Sequence, residues 1–419
     1  MLSGKMEQQL FLHRKTNKYR YLDGVRGLAA LIVVFNHFAG LFFPGATGGE
    51  VEFSHSSTEL LFNKTPLFVI FNGHFPVCLF FVLSGYVLSL KYFEYKDNAV
   101  LVTGILKRYF RLLPPIFFSI FVGYFLMKLS LLYNDSASKI SLSPSWNELW
   151  SIEPNFFSAL KEAMFGVFFQ GTNNYNLALW TIRYEFYGSL LIFSILALFG
   201  NHSKRFFIYG IIMAITLFVS PFTPYYSLFI AGLMLSDIKN NNPGLLTKVS
   251  NPIVTILLLL VGILIGSYPN SIKEVTFIYN LLQIGNLDLM LYYRMIGTIF
   301  VMVAVLNSKS LQKFFSNKIM SFLGEISFSM YCIHLAVIGS VGCYLFIKIN
   351  SSFSYYTSAF MTIMITLVVI LFSSYLINKF IDKNGIKFSN YLVKRLFLES
   401  PTKKASSITK NESNHSAYQ

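Results

Sequence analysis

Arg26 and His37 lie eleven residues apart in an apolar stretch that begins Leu22-Asp-Gly-Val-Arg26-Gly and ends Asn36-His37. On an α-helix that separation turns through roughly 1100°, about 20° past three full turns, so both side chains share a face about 16 Å apart along the axis. A guanidinium binds phosphate bidentately, and an imidazole is the commonest general base near neutral pH. The pair sets an anion anchor and a base apart by a distance that an extended pantetheine arm can span. Each also has a plainer role alone: Arg26 by snorkelling to the interface, His37 by packing between helices.

Three further groups carry chemistry. Thr181, Glu185 and Ser189 recur every four residues and form a polar stripe on one helix. Glu185 falls about 10 Å inside that span, at a depth similar to His37, and is expected to orient and stabilise the imidazole. The alternative is an ion pair with Arg183 or Arg294. Arg108 and Arg111 share a helical face before the third span and suit the phosphates of a nucleotide-bearing thioester, although a basic loop is ordinary there. Ser327, Tyr331 and His334 stack on one face of a later span. His334 either lines the same cavity or hydrogen-bonds between helices. Arg294 is a further intramembrane charge with no partner evident in the sequence, and Ser84 and Gly85, following His74, suggest close helix packing.

The elements that must position these residues are membrane helices. The chain has 419 residues, 54% of them hydrophobic and only 13% charged, against about a quarter charged in soluble proteins. Ten apolar spans are expected, at 22–43, 74–92, 112–133, 178–199, 205–221, 224–238, 252–268, 290–306, 320–347 and 357–378, near the ~20 residues that cross a bilayer. The fold class expected is therefore an all-α integral membrane protein, a bundle of about ten transmembrane helices. Of the 34 basic residues, 25 fall on the side of the two termini and 6 on the other, which places both termini in the cytoplasm. The net charge of +15 is thereby topological, with some attraction to anionic lipid, and does not mark a nucleic-acid partner. Residues 1–21 form a basic cytoplasmic segment without signal-peptide features. Residues 22–378 form one transmembrane domain, and 379–419 a basic, disordered cytoplasmic tail. The long connection 134–177, rich in Trp and Phe, is expected outside the membrane, as an interfacial helix or as an acceptor-binding lid. Cys78, Cys332 and Cys343 have no metal-ligand spacing, so no metal is expected.

In order along the chain, these segments resemble acyltransferase family 3, membrane O-acyltransferases of surface polysaccharides and other extracytoplasmic acceptors. Leu22-Asp-Gly-Val-Arg26-Gly with His37 is similar to its Arg-x10-His signature, and Arg108-Tyr-Phe-Arg111-Leu-Leu-Pro114 to its Arg-x-x-Arg segment. Phe80-Phe-Val-Leu-Ser84-Gly85, Leu179-Trp180-Thr181 with Glu185, and Gly324-Glu-Ile-Ser-Phe with Tyr331 and His334 resemble further blocks. The resemblance covers about residues 20–340. The block around Glu185 departs from many bacterial members in having a single acidic residue, and a stand-alone form without the fused esterase domain of some members is expected.

The resemblance implies an O-acyltransferase, and specifically an O-acetyltransferase, taking its acyl group from acyl-CoA (acetyl-CoA) as co-substrate. Its acceptor would be an extracytoplasmic saccharide or glycolipid; the Lys/Asn/Ile-rich composition and the lack of targeting features lead us to expect a bacterial inner membrane. Arg26, Arg108 and Arg111 would bind the donor, with His37 and Glu185 catalytic. Trp180, Tyr331 and His334 would contact substrate. A lipid or saccharide transporter without acyl chemistry is the alternative, since intramembrane charges serve transport as well. Transporters often show internal repeats and broken helices, and neither is evident.

Overall fold

The computed structural model describes residues 19–48, 50–219, 223–247, 249–270, 277–285 and 288–395. The basic segment before residue 19 and the Ser/Lys/Asn-rich end from Pro401 lie outside the described residues. All regular structure among the described residues is helical. Ten principal helices follow in order: α1 Arg20–Phe42, α2 His74–Tyr95, α3 Ala99–Lys128, α4 Trp180–Phe199, α5 Arg205–Phe218, α6 Tyr225–Asn241, α7 Pro252–Gly266, α8 Met290–Asn307, α9 Lys318–Val337 and α10 Tyr355–Ile377.

Seven of these elements, α1–α4 and α8–α10, are long and apolar enough to cross a membrane. The expected count of ten is reached only if α5, α6 and α7 are included. They have 14, 17 and 15 residues, or about 21–26 Å at 1.5 Å per residue, against ~30 Å of hydrocarbon. The helical path of α10 does not stop where a disordered tail was expected from residue 379. It passes through a wider π-helical turn, Asn378–Asp382, and continues as Lys383–Val393.

Two helix pairs organise the bundle. The first is α2 with α6, where a Cβ added to Gly85 would lie 2.0 Å from the Phe229 carbonyl oxygen, so Gly85 does permit the close approach its sequence suggested. The second is α1 with α9. A Cβ on Gly27 would meet the Gly324 nitrogen at 2.4 Å, and one on Gly324 would meet the Asp23 carbonyl oxygen at 2.2 Å. Neighbouring contacts ascend together along both chains: Gly24 meets Met320, Gly27 meets Gly324 and Phe42 meets Phe346. The two helices are therefore parallel and in one register, fixed where only hydrogen fits between the backbones.

Arg20 at the start of α1, Asn378 beyond the end of α10 and Lys318 at the start of α9 gather around one cavity mouth. This basic end of the bundle thus holds both ends of the helical chain. At the far end, residues 134–177 fold into short helices rather than an open loop. Asn134 Nδ2 donates to the carbonyls of Trp146 (2.8 Å) and Leu149 (3.1 Å), and Ser143 Oγ to that of Gly40 (2.5 Å). Glu162 accepts from Asn174 Nδ2 (2.8 Å) and the Tyr175 amide (3.0 Å). Phe157 and Phe165 point outward as in an interfacial helix, while Trp146 is buried over the end of α1.

Candidate functional site

Helices α1–α4 and α9, with the helical continuation beyond α10, enclose a cavity of about 700 Å³, within the usual range for a sizeable ligand. Arg20, Lys318 and Lys383 stand at its mouth, and Arg26, Arg108 and Arg111 line its wall. Ser84, Glu185, Thr181 and Tyr331 line its inner part. The three arginines singled out in the sequence thus share one chamber, although they come from two helices. The acidic groups there are Asp23, Glu185, Glu325 and Asp382.

The arginines differ in what holds them. Arg26 donates to Asp23 Oδ1 at 2.8 Å, within one helical turn and partly exposed. Arg108 is buried and forms an ion pair with Glu185, whose Oε1 also accepts from Ser84 Oγ at 2.5 Å. Its Nε is buried without a partner. Arg111 makes no hydrogen bond or ion pair among the described residues and opens into the cavity. Arg111, open to the cavity, can receive an anionic ligand without first breaking an internal bond, while Arg108 is held in place by Glu185.

The expected hydrogen bond between Glu185 and His37 is not made. α4 packs against α2 and α3, and α1 against α9 and α2, so Glu185 faces Arg108 on α3. The alternative pairings with Arg183 or Arg294 are not made either. Ser84, read as a packing residue, is instead the third member of the Glu185–Arg108 cluster. Ser84 itself lines the cavity, a position that periodicity on α2 alone does not distinguish from packing.

The partner of His37 is His334. Their rings lie 5.0 Å apart, centroid to centroid, and are tilted by 36°. Each is ten residues beyond the glycine of its helix, Gly27 or Gly324, so a parallel register that joins the glycines also joins the histidines. Trp146 closes the other side of His37, edge-on at 6.4 Å. His334 Nδ1 is within hydrogen-bond distance of the carbonyls of Met330 (3.1 Å) and Tyr331 (2.9 Å). Carbonyls only accept, so this nitrogen carries a proton, and in the neutral ring the lone pair is on Nε2. That Nε2 is buried with no protein partner.

Tyr331 separates the two parts of the site. It lines the arginine cavity, while its ring lies 6.0 Å from that of His334. Its hydroxyl contacts Thr181 Oγ1 at 2.7 Å and the Ala178 carbonyl, tying α9 to the start of α4. Asn176 Nδ2 reinforces this junction by donating to the Cys332 carbonyl at 2.6 Å. Trp180 points elsewhere, into an aromatic group with His74 (6.2 Å), Tyr184 (5.9 Å) and Tyr225 (5.8 Å). Among the described residues no cluster of His, Cys, Asp and Glu could hold a metal ion.

The site thus consists of a basic cavity lined by three arginines and, one turn further along α9, a histidine pair. The model of the acyltransferase domain family covers residues 19–379 of the chain. This chain belongs to acyltransferase family 3. The acyltransferase is 24% identical over 402 residues to acyltransferase clz18 of Cochliobolus lunatus, covering 78% of this chain and 84% of that protein. It is 24% identical over 404 residues to acyltransferase R4 of a Phoma species, covering 80% and 86%. It is 26% identical over 246 residues to O-acetyltransferase PaAT-1 of Phomopsis amygdali, covering 52% and 48%. No solved structure matches it.

Proposed function

We propose that this acyltransferase moves an acyl group, acetyl in the first instance, from cytoplasmic acyl-CoA to a hydroxyl of an extracytoplasmic saccharide or glycolipid. The observation that carries this reading is the order of groups along one axis. A cationic cavity ends on Tyr331, and the next turn of the same helix presents His334 in ring contact with His37. The basic end is the cytoplasmic one by the positive-inside rule. The Phomopsis relative, an O-acetyltransferase, supports acetyl as the transferred group.

Arg26, Arg108 and Arg111 hold the phosphates of the donor, with Glu185 and Ser84 setting the plane of the Arg108 guanidinium. The pantetheine arm extends past Thr181 and Tyr331 and brings the thioester to the histidines. A nitrogen of His37 takes the proton of the acceptor hydroxyl while its oxygen attacks the thioester carbonyl. The carbon–sulfur bond breaks, and CoA leaves as the thiolate, which is then protonated. The covalent variant differs in its first attack, since His37 takes the acyl group itself before the acceptor does. A trapped acyl-enzyme with ping-pong kinetics supports the covalent route, and strict ternary-complex kinetics supports the direct one.

The test is transfer of labelled acetyl from acetyl-CoA to extracted surface glycans, comparing membranes with wild-type protein and with His37→Ala. Label with the wild type and none with the variant is the expected result. Failure with a panel of acyl-CoA donors would move a transport function to the front.

A further inference from the structure

Arg294, one turn into α8, is fully buried. It is on the other side of α2 from the arginine cavity and does not line it. Its Nη2 donates to the Tyr268 carbonyl (3.0 Å) and to Asn270 Oδ1 (2.5 Å), and no carboxylate is within ion-pair distance among the described residues. Its Nε and Nη1 are buried with no partner. A guanidinium cannot shed its charge, and a buried charge in a membrane protein is normally paired or marks a ligand path. Binding the carbonyls just beyond α7 accounts for Nη2 as a helix cap. It leaves the other two donors unexplained.

The position of Arg294 is held firmly. Thr298 Oγ1 donates to its carbonyl at 2.7 Å, and a Cβ on Gly297 would lie 2.5 Å from the Gly262 carbonyl oxygen, which fixes α8 on α7. His74, Cys78 and Tyr225 are within electrostatic reach of the guanidinium. His74 Nδ1 meets the Tyr225 hydroxyl at 3.3 Å and its ring lies 6.2 Å from Trp180. This group adjoins the turn that bears His37, because Asn36 Nδ2 donates to the Phe71 carbonyl at 2.6 Å and Gly73 packs on the Asn36 side chain. Arg294 and His37 therefore belong to the same far region of the bundle.

We propose that Arg294 is the centre of a second anion site, one that binds a carboxylate or phosphate carried by the acceptor. The unfilled Nε and Nη1 take the oxyanion, and Trp180 and Tyr225 provide the aromatic surface on which a sugar ring rests. The site would select acidic acceptors and hold their hydroxyls toward His37. This inference rests on the far end being the acceptor's side.

The test uses the full-length protein purified in detergent. Melting temperature is measured at constant ionic strength while chloride is replaced by sodium glucuronate or by inorganic phosphate. One of these anions should raise the melting temperature saturably, and Arg294→Gln should remove the rise. The anion that acts distinguishes a uronic acid from a phosphate. If Arg294→Gln does not fold, Arg294→Lys should move half-saturation to higher concentration, because an ammonium does not reproduce the guanidinium's donors. No rise with either anion, or a rise with the same midpoint in the variants, overturns the proposal. Acyl transfer without any anion effect removes this site and leaves the transfer reading intact. An Arg294-dependent anion effect without transfer from any donor supports the site and removes the transfer reading.

Discussion

The rings of His37 and His334 stand 5.0 Å apart because Gly27 and Gly324, each ten residues earlier, let α1 and α9 touch backbone to backbone. The histidines are thus placed by a contact about 15 Å away along the helix axes. The same contact sets how far they lie from the arginine cavity.

If the two histidines act as one unit, their losses do not add. His37→Ala should lower acetyl transfer at least ~100-fold, the lower range for a lost general base. His334→Ala should also impair it, and the double variant should be little worse than His37→Ala. Initial rates of labelled transfer in matched membranes measure this. Losses that multiply would show that the residues act independently.

The Glu185 carboxylate serves Arg108, so its removal should affect donor binding and stability before it affects proton transfer. Glu185→Gln is expected to raise KM for acyl-CoA while leaving the shape of the pH–rate profile unchanged. A carboxylate that oriented His37 would, when lost, shift that profile. Arg108→Ala leaves a partly buried carboxylate with Ser84 as its remaining hydrogen-bond donor and should lower stability, by about 1–3 kcal/mol, read from thermal melts of the purified protein.

The glycine contact can be tested against a glycine with open space around it. Gly324→Ala forces a methyl against the Asp23 carbonyl and should cost about 1–3 kcal/mol, with transfer falling although both histidines remain. On α5, a Cβ on Gly210 meets nothing within 4 Å. Gly210→Ala should therefore be neutral or stabilising by ~0.5–1 kcal/mol. Equal melting curves for the two variants would remove the contact from the account of the site.

Tyr331 closes the inner end of the cavity with a hydroxyl bonded to Thr181 and Ala178. Tyr331→Phe should cost about 0.5–1.5 kcal/mol, the net worth of a hydrogen bond, and keep acetyl transfer. Tyr331→Ala opens space beside the thioester and should broaden use of longer acyl-CoA donors relative to acetyl-CoA. A donor-chain-length series for the three proteins decides it; an unchanged preference would place Tyr331 outside the acyl path.

Orientation is accessible through cysteine labelling, because Cys78, Cys332 and Cys343 are all buried. Lys383→Cys at the basic end should react with a membrane-impermeant maleimide only in inverted vesicles. Asn147→Cys at the far end should react in intact cells. The opposite pattern would reverse the proposed direction of transfer.

Much of the molecule is legible one helix at a time. The polar stripe of α4, the shared face of Arg26 and His37, and the paired Arg108 and Arg111 follow from a period of 3.6 residues. Length is less legible: α5, α6 and α7 carry apolar patterns but are shorter than a full crossing. The segment after residue 379 reads as a basic tail, yet it continues as helix because Gly385 packs on Pro114 and Lys383 pairs with Glu325. Those partners lie far away in sequence.

The sequence by itself determined the solvent this protein lives in, the family it belongs to and the residues that carry its charge inside the membrane. Apolar run length and charged-residue cost act locally, so a linear reading captures them. Only the tertiary structure decided the pairings: Glu185 with Arg108, His37 with His334, and Arg294 with the Tyr268 carbonyl and the Asn270 side-chain oxygen and, among the described residues, no carboxylate. Helical periodicity states which side chains share a face, but which faces meet depends on where backbones can approach. Here that is decided by contacts such as Gly27 on Gly324 and Gly85 on Phe229, between residues hundreds of positions apart in the first case and well over a hundred in the second.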